Sequence, residues 1–190
     1  VNKNITPAYY IQDYEPLFSE PGSKAWKEAY DSYTLVPRAI LFAKTYWICD
    51  KVFDIHGVKV NKVLPSIDHD IYHPDPKAKK KAGLEDKLIV SAMIRPKTPR
   101  RGADRTMRLL NKLHDKLGDR IHIEIFGCEE SDPLYLSLER RFQYRNNEIL
   151  TRSEVANVLQ RSDVFIDLSD YQAFGRTGLE AMSCGAFVIT

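Results

Sequence analysis

The chain has 190 residues, 43% of them hydrophobic and 28% charged, with a formal net charge of +2. These values sit in the globular range and suit one full domain, or one domain with part of another. Near-neutrality excludes a polycation, so any basic site must be local.

In chain order, Tyr9–Gln12 reads as a strand, Lys24–Tyr30 as a short helix and Ile40–Ala43 as a strand. Tyr46–Phe53 reads as a helix entered at Thr45, and Val60–Leu64 as another short strand. This part is too small to build a core of its own. It is expected to be the trailing edge of a preceding α/β domain plus a connector. Ser66–His73 carries Asp68, His69, Asp70 and His73, framed by Pro65 and Pro74. The spacing matches no metal-ligand pattern, and polar turn residues in a connector are expected. Lys77, Lys79, Lys80 and Lys81 read as a solvated linker, with a nucleic-acid contact as the other reading. Domains of 1–76 and 84–190 follow.

The second part alternates strands and helices. Leu88–Met93 is a near-continuous apolar run, as in a strand buried on both faces. Met107, Leu110, Leu113 and Leu117 recur at helical spacing, and Gly118 supplies the stop. Ile121–Phe126 alternates apolar and polar residues, which predicts a strand with one wetter face. Thr151 and Glu154 form a capping box ahead of a helix. Val164–Leu168 reads as a strand, Thr177–Ser183 as a helix, and Phe187–Ile189 as the start of another strand. The repeat predicts right-handed crossovers and a Rossmann-like α/β parallel sheet.

Cys49, Cys128 and Cys184 are widely spaced and form no C-x-x-C pair. A reduced intracellular protein with inert buried thiols is expected. No apolar run is long enough to cross a bilayer, and Val1–Thr6 lacks the pattern of a signal peptide. A cytoplasmic location is expected. The first residue is Val1 and the last, Thr190, follows a strand-like run, so a piece of a longer protein is expected.

Two stretches carry chemistry. Arg95–Arg101 (RPKTPRR) follows a strand directly, where open α/β sheets bind ligands. Two guanidiniums, Arg95 and Arg101, beside the permissive Gly102, suit a diphosphate. Arg105 and Arg108 extend the charge, which keeps a nucleic-acid stripe as an alternative. The second stretch runs from Ser169 to Met182, where Gly175 and Gly178 bracket a tight turn into a helix. Helix N-termini suit phosphate, and Glu180 in the first turns can accept bonds from two vicinal hydroxyls. Its other reading is a helix-capping acid. No Ser-His-Asp or Cys-His spacing argues for a nucleophile.

Gln172–Glu180 with Ala181-Met182-Ser183-Cys184-Gly185 resembles the hallmark of family-four retaining glycosyltransferases of the GT-B fold. That hallmark is a Glu, seven residues and a second Glu in an E-A-M-x-x-G helix. Arg95…Arg101-Gly102 is similar to the family's Arg…Lys-Gly clamp, Thr151–Leu168 to the segment before the hallmark, and Leu64–Pro74 to its interdomain segment. Tyr9–Phe18 and Gln172 resemble bacterial rhamnosyltransferases of polysaccharide assembly that use dTDP-rhamnose.

The resemblance implies that Arg95 and Arg101 hold the donor diphosphate, helped by the turn Phe174-Gly175-Arg176-Thr177-Gly178. Glu180 would bind the nucleotide's sugar, and position 172 would touch the transferred sugar. Two departures stand out: Arg101 replaces Lys, and Gln172 replaces the first Glu. The resemblance implies retention, no metal cofactor, and a glycan or lipid-linked glycan acceptor. It also implies peripheral contact with the inner membrane through an acceptor domain that is mostly absent. The chain is therefore expected to bind nucleotide without turnover. Gln172 also motivates a second reading, a catalytically inactive nucleotide-binding module.

Overall fold

The computed structural model describes residues 5–78, 84, 86–170 and 174–190. The chain divides into a first unit ending at Ser66 that also takes in Phe174, and a second unit from Ile67 that resumes at Gly175. Lys79, Lys80 and Lys81 of the expected linker lie outside the described residues, as does Gln172.

The first unit is a parallel sheet of β1 (Ala8–Ile11), β2 (Ile40–Ala43) and β3 (Val60–Lys62), in that order. Helix α1 (Lys24–Ser32) joins β1 to β2, and α2 (Tyr46–His56) joins β2 to β3. Hydroxyl caps start both helices: Ser23 accepts from the Trp26 amide and Thr45 from the Ile48 amide. Contrary to expectation, this part does bury a core. Ile11, Leu41, Ala43, Ile48, Val52 and Val60 pack with the rings of Tyr14 and Tyr33. The aromatic rings, which strand patterns do not count, make up the missing apolar area.

The second unit holds β4 (Leu88–Met93), α3 (Ala103–Leu117), β5 (Ile121–Phe126), α4 (Pro133–Leu136), β6 (Tyr144–Asn146), α5 (Arg152–Arg161), β7 (Val164–Ile166), α6 (Arg176–Ser183) and β8 (Phe187–Ile189). Its five strands are all parallel, in the order β6-β5-β4-β7-β8. Alternate residues serve opposite faces, so the sheet is covered on both sides. Val90, Ala92, Ile123, Ile125 and Ile166 pack with Met107 and Leu110 of α3. Phe126 and Phe165 pack with Val158, Leu159 and Ala181 of α5 and α6. This is the Rossmann-like α/β layering that the strand–helix alternation predicts.

Two details differ from the sequence reading. On the polar face of β5, His122 stays partly exposed while Glu124 is buried under α5. Glu124 is 1% exposed and takes charge-assisted bonds from Arg161 Nε at 2.9 Å and Nη2 at 2.5 Å, and from Asn147 Nδ2 at 3.0 Å. The short elements α4 and β6 carry no periodicity of their own. They exist because Asp132 caps α4 and because β6 pairs with the edge of β5.

Candidate functional site

The strand order reverses between β4 and β7, so the loops leaving those two strands diverge and open a crevice at their C-terminal ends. The loop after β4 is the basic stretch, and Arg95 lies just beyond that strand. The loop after β7 begins at Asp167. The two loops are stitched together. The Asp170 amide donates to the Arg100 carbonyl at 2.8 Å, and Arg105 Nη2 donates to the Leu168 carbonyl at 2.9 Å and pairs with Asp170 at 2.7 Å. Arg101 Nη1 stands 3.8 Å from the carboxylate of Asp167, which also accepts from the Ser169 hydroxyl. Arg101 is 19% exposed at its side chain and belongs to this seam.

Both helices that follow the diverging strands begin at a glycine in the left-handed region, Gly102 at φ 62° and Gly175 at φ 61°. Neither has a side-chain cap. The other described α-helices are each capped, by Ser23, Thr45, Asp132 and Thr151. The first-turn amides of α3 and α6 therefore receive no bond from a capping side chain at the ends of β4 and β7.

Beside α6 lies a cleft of about 470 Å³, lined by Tyr72, Met93, Arg95, Phe126, Gly127, Ile149, Leu150, Arg152, Val155, Arg176, Thr177 and Glu180. It joins apolar walls to three guanidiniums and one carboxylate, as ligand sites do. Glu180 is 7% exposed, and Arg176 Nε donates to its Oε1 at 3.0 Å. Burial pushes the Glu180 carboxyl above its ordinary range, against the pull of Arg176, Tyr72 and Arg152. Arg152 pairs with Asp68 at 3.2 Å. Arg95 makes no ion pair among the described residues, whereas Arg101, Arg105 and Arg108 all have carboxylate partners.

Of the residues singled out from the sequence, the cleft brings together Arg95, Arg176, Thr177 and Glu180. Gly175 begins α6 beside it. Gly178 is not part of the turn: it lies buried in α6, where a Cβ would stand 3.3 Å from Val188. Arg101 lies in the seam between the two loops, and Phe174 groups with the first unit. The sequence reading missed Arg152, Tyr72 and Asp167, and it read Arg105 only as an extension of the basic loop, not as part of the seam. The capping box marked the start of α5 and so placed Arg152 at its first residue. Nothing local tied Tyr72 to Glu180.

A wider polar groove of about 680 Å³ runs along edge strand β6 and α5. Its Glu154 and Arg161 are engaged by Thr151 and Glu124, and of the cleft's residues it shares Leu150 alone. Among the described residues, no group of three His, Cys, Asp or Glu side chains converges as metal ligands would, and no helix is long and apolar enough to cross a membrane.

Residues 74–190 match the family model described as glycosyl transferases group 1. The O-antigen biosynthesis protein RfbC of Myxococcus xanthus is 25% identical over 182 residues, which cover 96% of this chain and 13% of RfbC. Sucrose-phosphate synthase from Thermosynechococcus elongatus superposes with a TM-score of 0.72 at 14% identity, over 95% of this chain and 49% of that one. A mutant of S. aureus TarM, solved with fondaparinux, alpha-GlcNAc-glycerol and UDP, gives 0.69 at 16% identity, over 98% and 36%. At such identities the solved structures show the fold alone, that of GT-B glycosyltransferases. The chain spans less than half the length of each of these three relatives.

Proposed function

The chain belongs to the glycosyl transferases group 1 family, and from that premise we propose that its second unit binds a nucleoside-diphosphate sugar as donor for sugar transfer. One observation carries this reading: the guanidinium of Arg95, which makes no ion pair among the described residues, and the buried carboxylate of Glu180 share one cleft beside the α6 N-terminus, which has no side-chain cap. The cation and the helix amides suit the diphosphate, and the carboxylate suits the vicinal hydroxyls of the nucleotide's sugar.

The mechanism follows from where charge develops. As the bond from the anomeric carbon to phosphate breaks, negative charge grows on the departing diphosphate. Arg95, Arg176 and the first amides of α6 are already in place to stabilise it, with no metal required. Arg101 contributes from the seam by holding the two loops in register. In this proposal the transfer retains anomeric configuration.

The donor is dTDP-rhamnose and the acceptor a glycan or lipid-linked glycan of a cell-surface polysaccharide. The name of RfbC and the likeness of Tyr9–Phe18 to rhamnosyltransferases support that assignment. Gln172 is proposed to touch the transferred sugar. The whole protein works in the cytoplasm, with peripheral membrane contact outside this chain. Ion pairing of Arg101, Arg105 and Arg108 neutralises the basic stripe and favours nucleotide over nucleic acid as ligand.

The test is a thermal-shift titration of the chain with dTDP, UDP and GDP. At least one should raise the melting temperature, and Arg95→Ala or Glu180→Ala should weaken binding by tenfold or more, about 1.4 kcal/mol. No shift with any of the three would overturn the proposal.

A further inference from the structure

We propose that Tyr72 is a positioning residue for Glu180, its hydroxyl acting between that carboxylate and the guanidinium of Arg152 in the nucleotide cleft. This inference rests on the nucleotide-binding reading above and identifies a side chain that reading does not use.

Tyr72 belongs to the Ser66–His73 stretch, which the sequence presents as a polar connector. Its ring is nevertheless 2% exposed and packs in one cluster with Ala156 and Leu159 of α5, Ala181 of α6, and Cys184 just beyond it. The stretch is fastened to α5 on both sides of Tyr72. Arg152 Nη2 pairs with Asp68 Oδ2 at 3.2 Å, and Gln160 Nε2 donates to the His73 carbonyl at 3.0 Å. A turn bond from the Tyr72 amide to the Asp68 carbonyl at 2.8 Å closes the loop. Tyr72 therefore has little freedom to follow a ligand. It holds its neighbours instead.

Tyr72, Arg152, Arg176 and Glu180 line the one cleft. The Arg152 Cζ stands 6.0 Å from the Tyr72 ring centroid, and the Tyr72 ring packs with Ala181, the residue after Glu180. In this proposal Arg152 donates to the Tyr72 oxygen and the Tyr72 hydroxyl to Glu180. Arg176 already occupies Oε1 of that carboxylate. Between them, Arg176 and Tyr72 orient both the plane and the charge of the one acid in the cleft. A carboxylate must be ionised and fixed in angle to accept two bonds from a diol. Burial favours the neutral form of Glu180, and the groups facing it oppose burial: Arg176 on α6, the Tyr72 hydroxyl, and Arg152 on α5. Cys184 feels the same carboxylate, and Arg95 shares the cleft.

The experiment is isothermal titration of the chain with dTDP and UDP between pH 5 and 8. Tyr72→Phe keeps the ring and removes the hydroxyl. It should weaken binding about three- to tenfold at pH 7 and move the acid limb of binding to higher pH, with little change in melting temperature. Arg152→Gln, which keeps a polar side chain at a more exposed position, should move the limb the same way. Glu180→Gln should abolish the limb. Wild-type affinity and an unmoved limb in Tyr72→Phe, with Arg95→Ala still impaired, would overturn the role of Tyr72 alone. No binding by the wild-type chain would overturn both this inference and the donor-site reading.

Discussion

Gly102 sits between the basic loop and α3, at a position where a Cβ would lie 2.4 Å from the Leu168 carbonyl oxygen and 2.5 Å from Arg105 Nη2. Its φ of 62° adds the cost of a left-handed backbone to that clash. Gly102→Ala should therefore destabilise the chain by more than the roughly 1–2 kcal/mol of the backbone alone, read as a drop in the urea midpoint. It should also weaken nucleotide binding, because the same atoms join the loops after β4 and β7. An unchanged midpoint would mean that this seam yields freely. At this scale the sequence is partly legible. A basic loop ending in glycine after a strand points to Arg95, which lines the cleft, since strand ends are where such sheets bind. It gives no sign that Arg101 turns to Asp167, because that carboxylate arrives from a strand far along the chain.

At the scale of elements, the pairing of β5 with α5 is the clearest case of context overriding pattern. Alternation in Ile121–Phe126 reads as a half-wet strand. The helix that covers Glu124 has an arginine in its last turn, and this meets the carboxylate. Burial alone would push the Glu124 carboxyl up, but bonds from Arg161 and Asn147 win and hold it below its ordinary range. Removing one partner of such a pair leaves a buried charge. Arg161→Leu should thus cost about 3–5 kcal/mol, measured by chemical denaturation. Replacing Glu124 and Arg161 together by leucine should recover most of that loss. If the double variant is no better than the single, the packing of Arg161 matters more than its charge. The capping box at Thr151 and Glu154, by contrast, was fully legible, because both halves of it lie within four residues.

At the scale of the whole molecule, ionisation makes stability depend on pH. His56 lies against the rings of Tyr14, Tyr30 and Tyr33, and His122 beside Glu124; burial holds both imidazoles below their ordinary range. A group whose folded pKa is depressed adds stability above its unfolded pKa, about 6.5 for His, and loses it as pH falls through the folded value. Glu124 behaves likewise in its lower window. Glu180, raised by burial, works the other way: its contribution is present at low pH and is lost as pH rises through its folded value. The urea midpoint should fall between pH 7.5 and 5.5, and His56→Gln with His122→Gln should flatten that slope. A wild-type midpoint flat over this range would show that neither imidazole is held neutral by the fold.

The sequence by itself determined the alternation of strands and helices, the local caps, the family hallmark, and the two loops that meet at the strand ends. All of these are encoded within a turn or two of chain, by hydrophobic period, glycine and cap chemistry. Only the tertiary structure decided which charges are spent on each other and which face the cleft. Arg101 went to Asp167, Arg161 to Glu124, and Arg152 to Asp68, while Tyr72 came to line the same cleft as Glu180. The physical reason is range. Burial and ion pairing depend on what a parallel crossover brings alongside from dozens of residues away, and no local pattern carries that information.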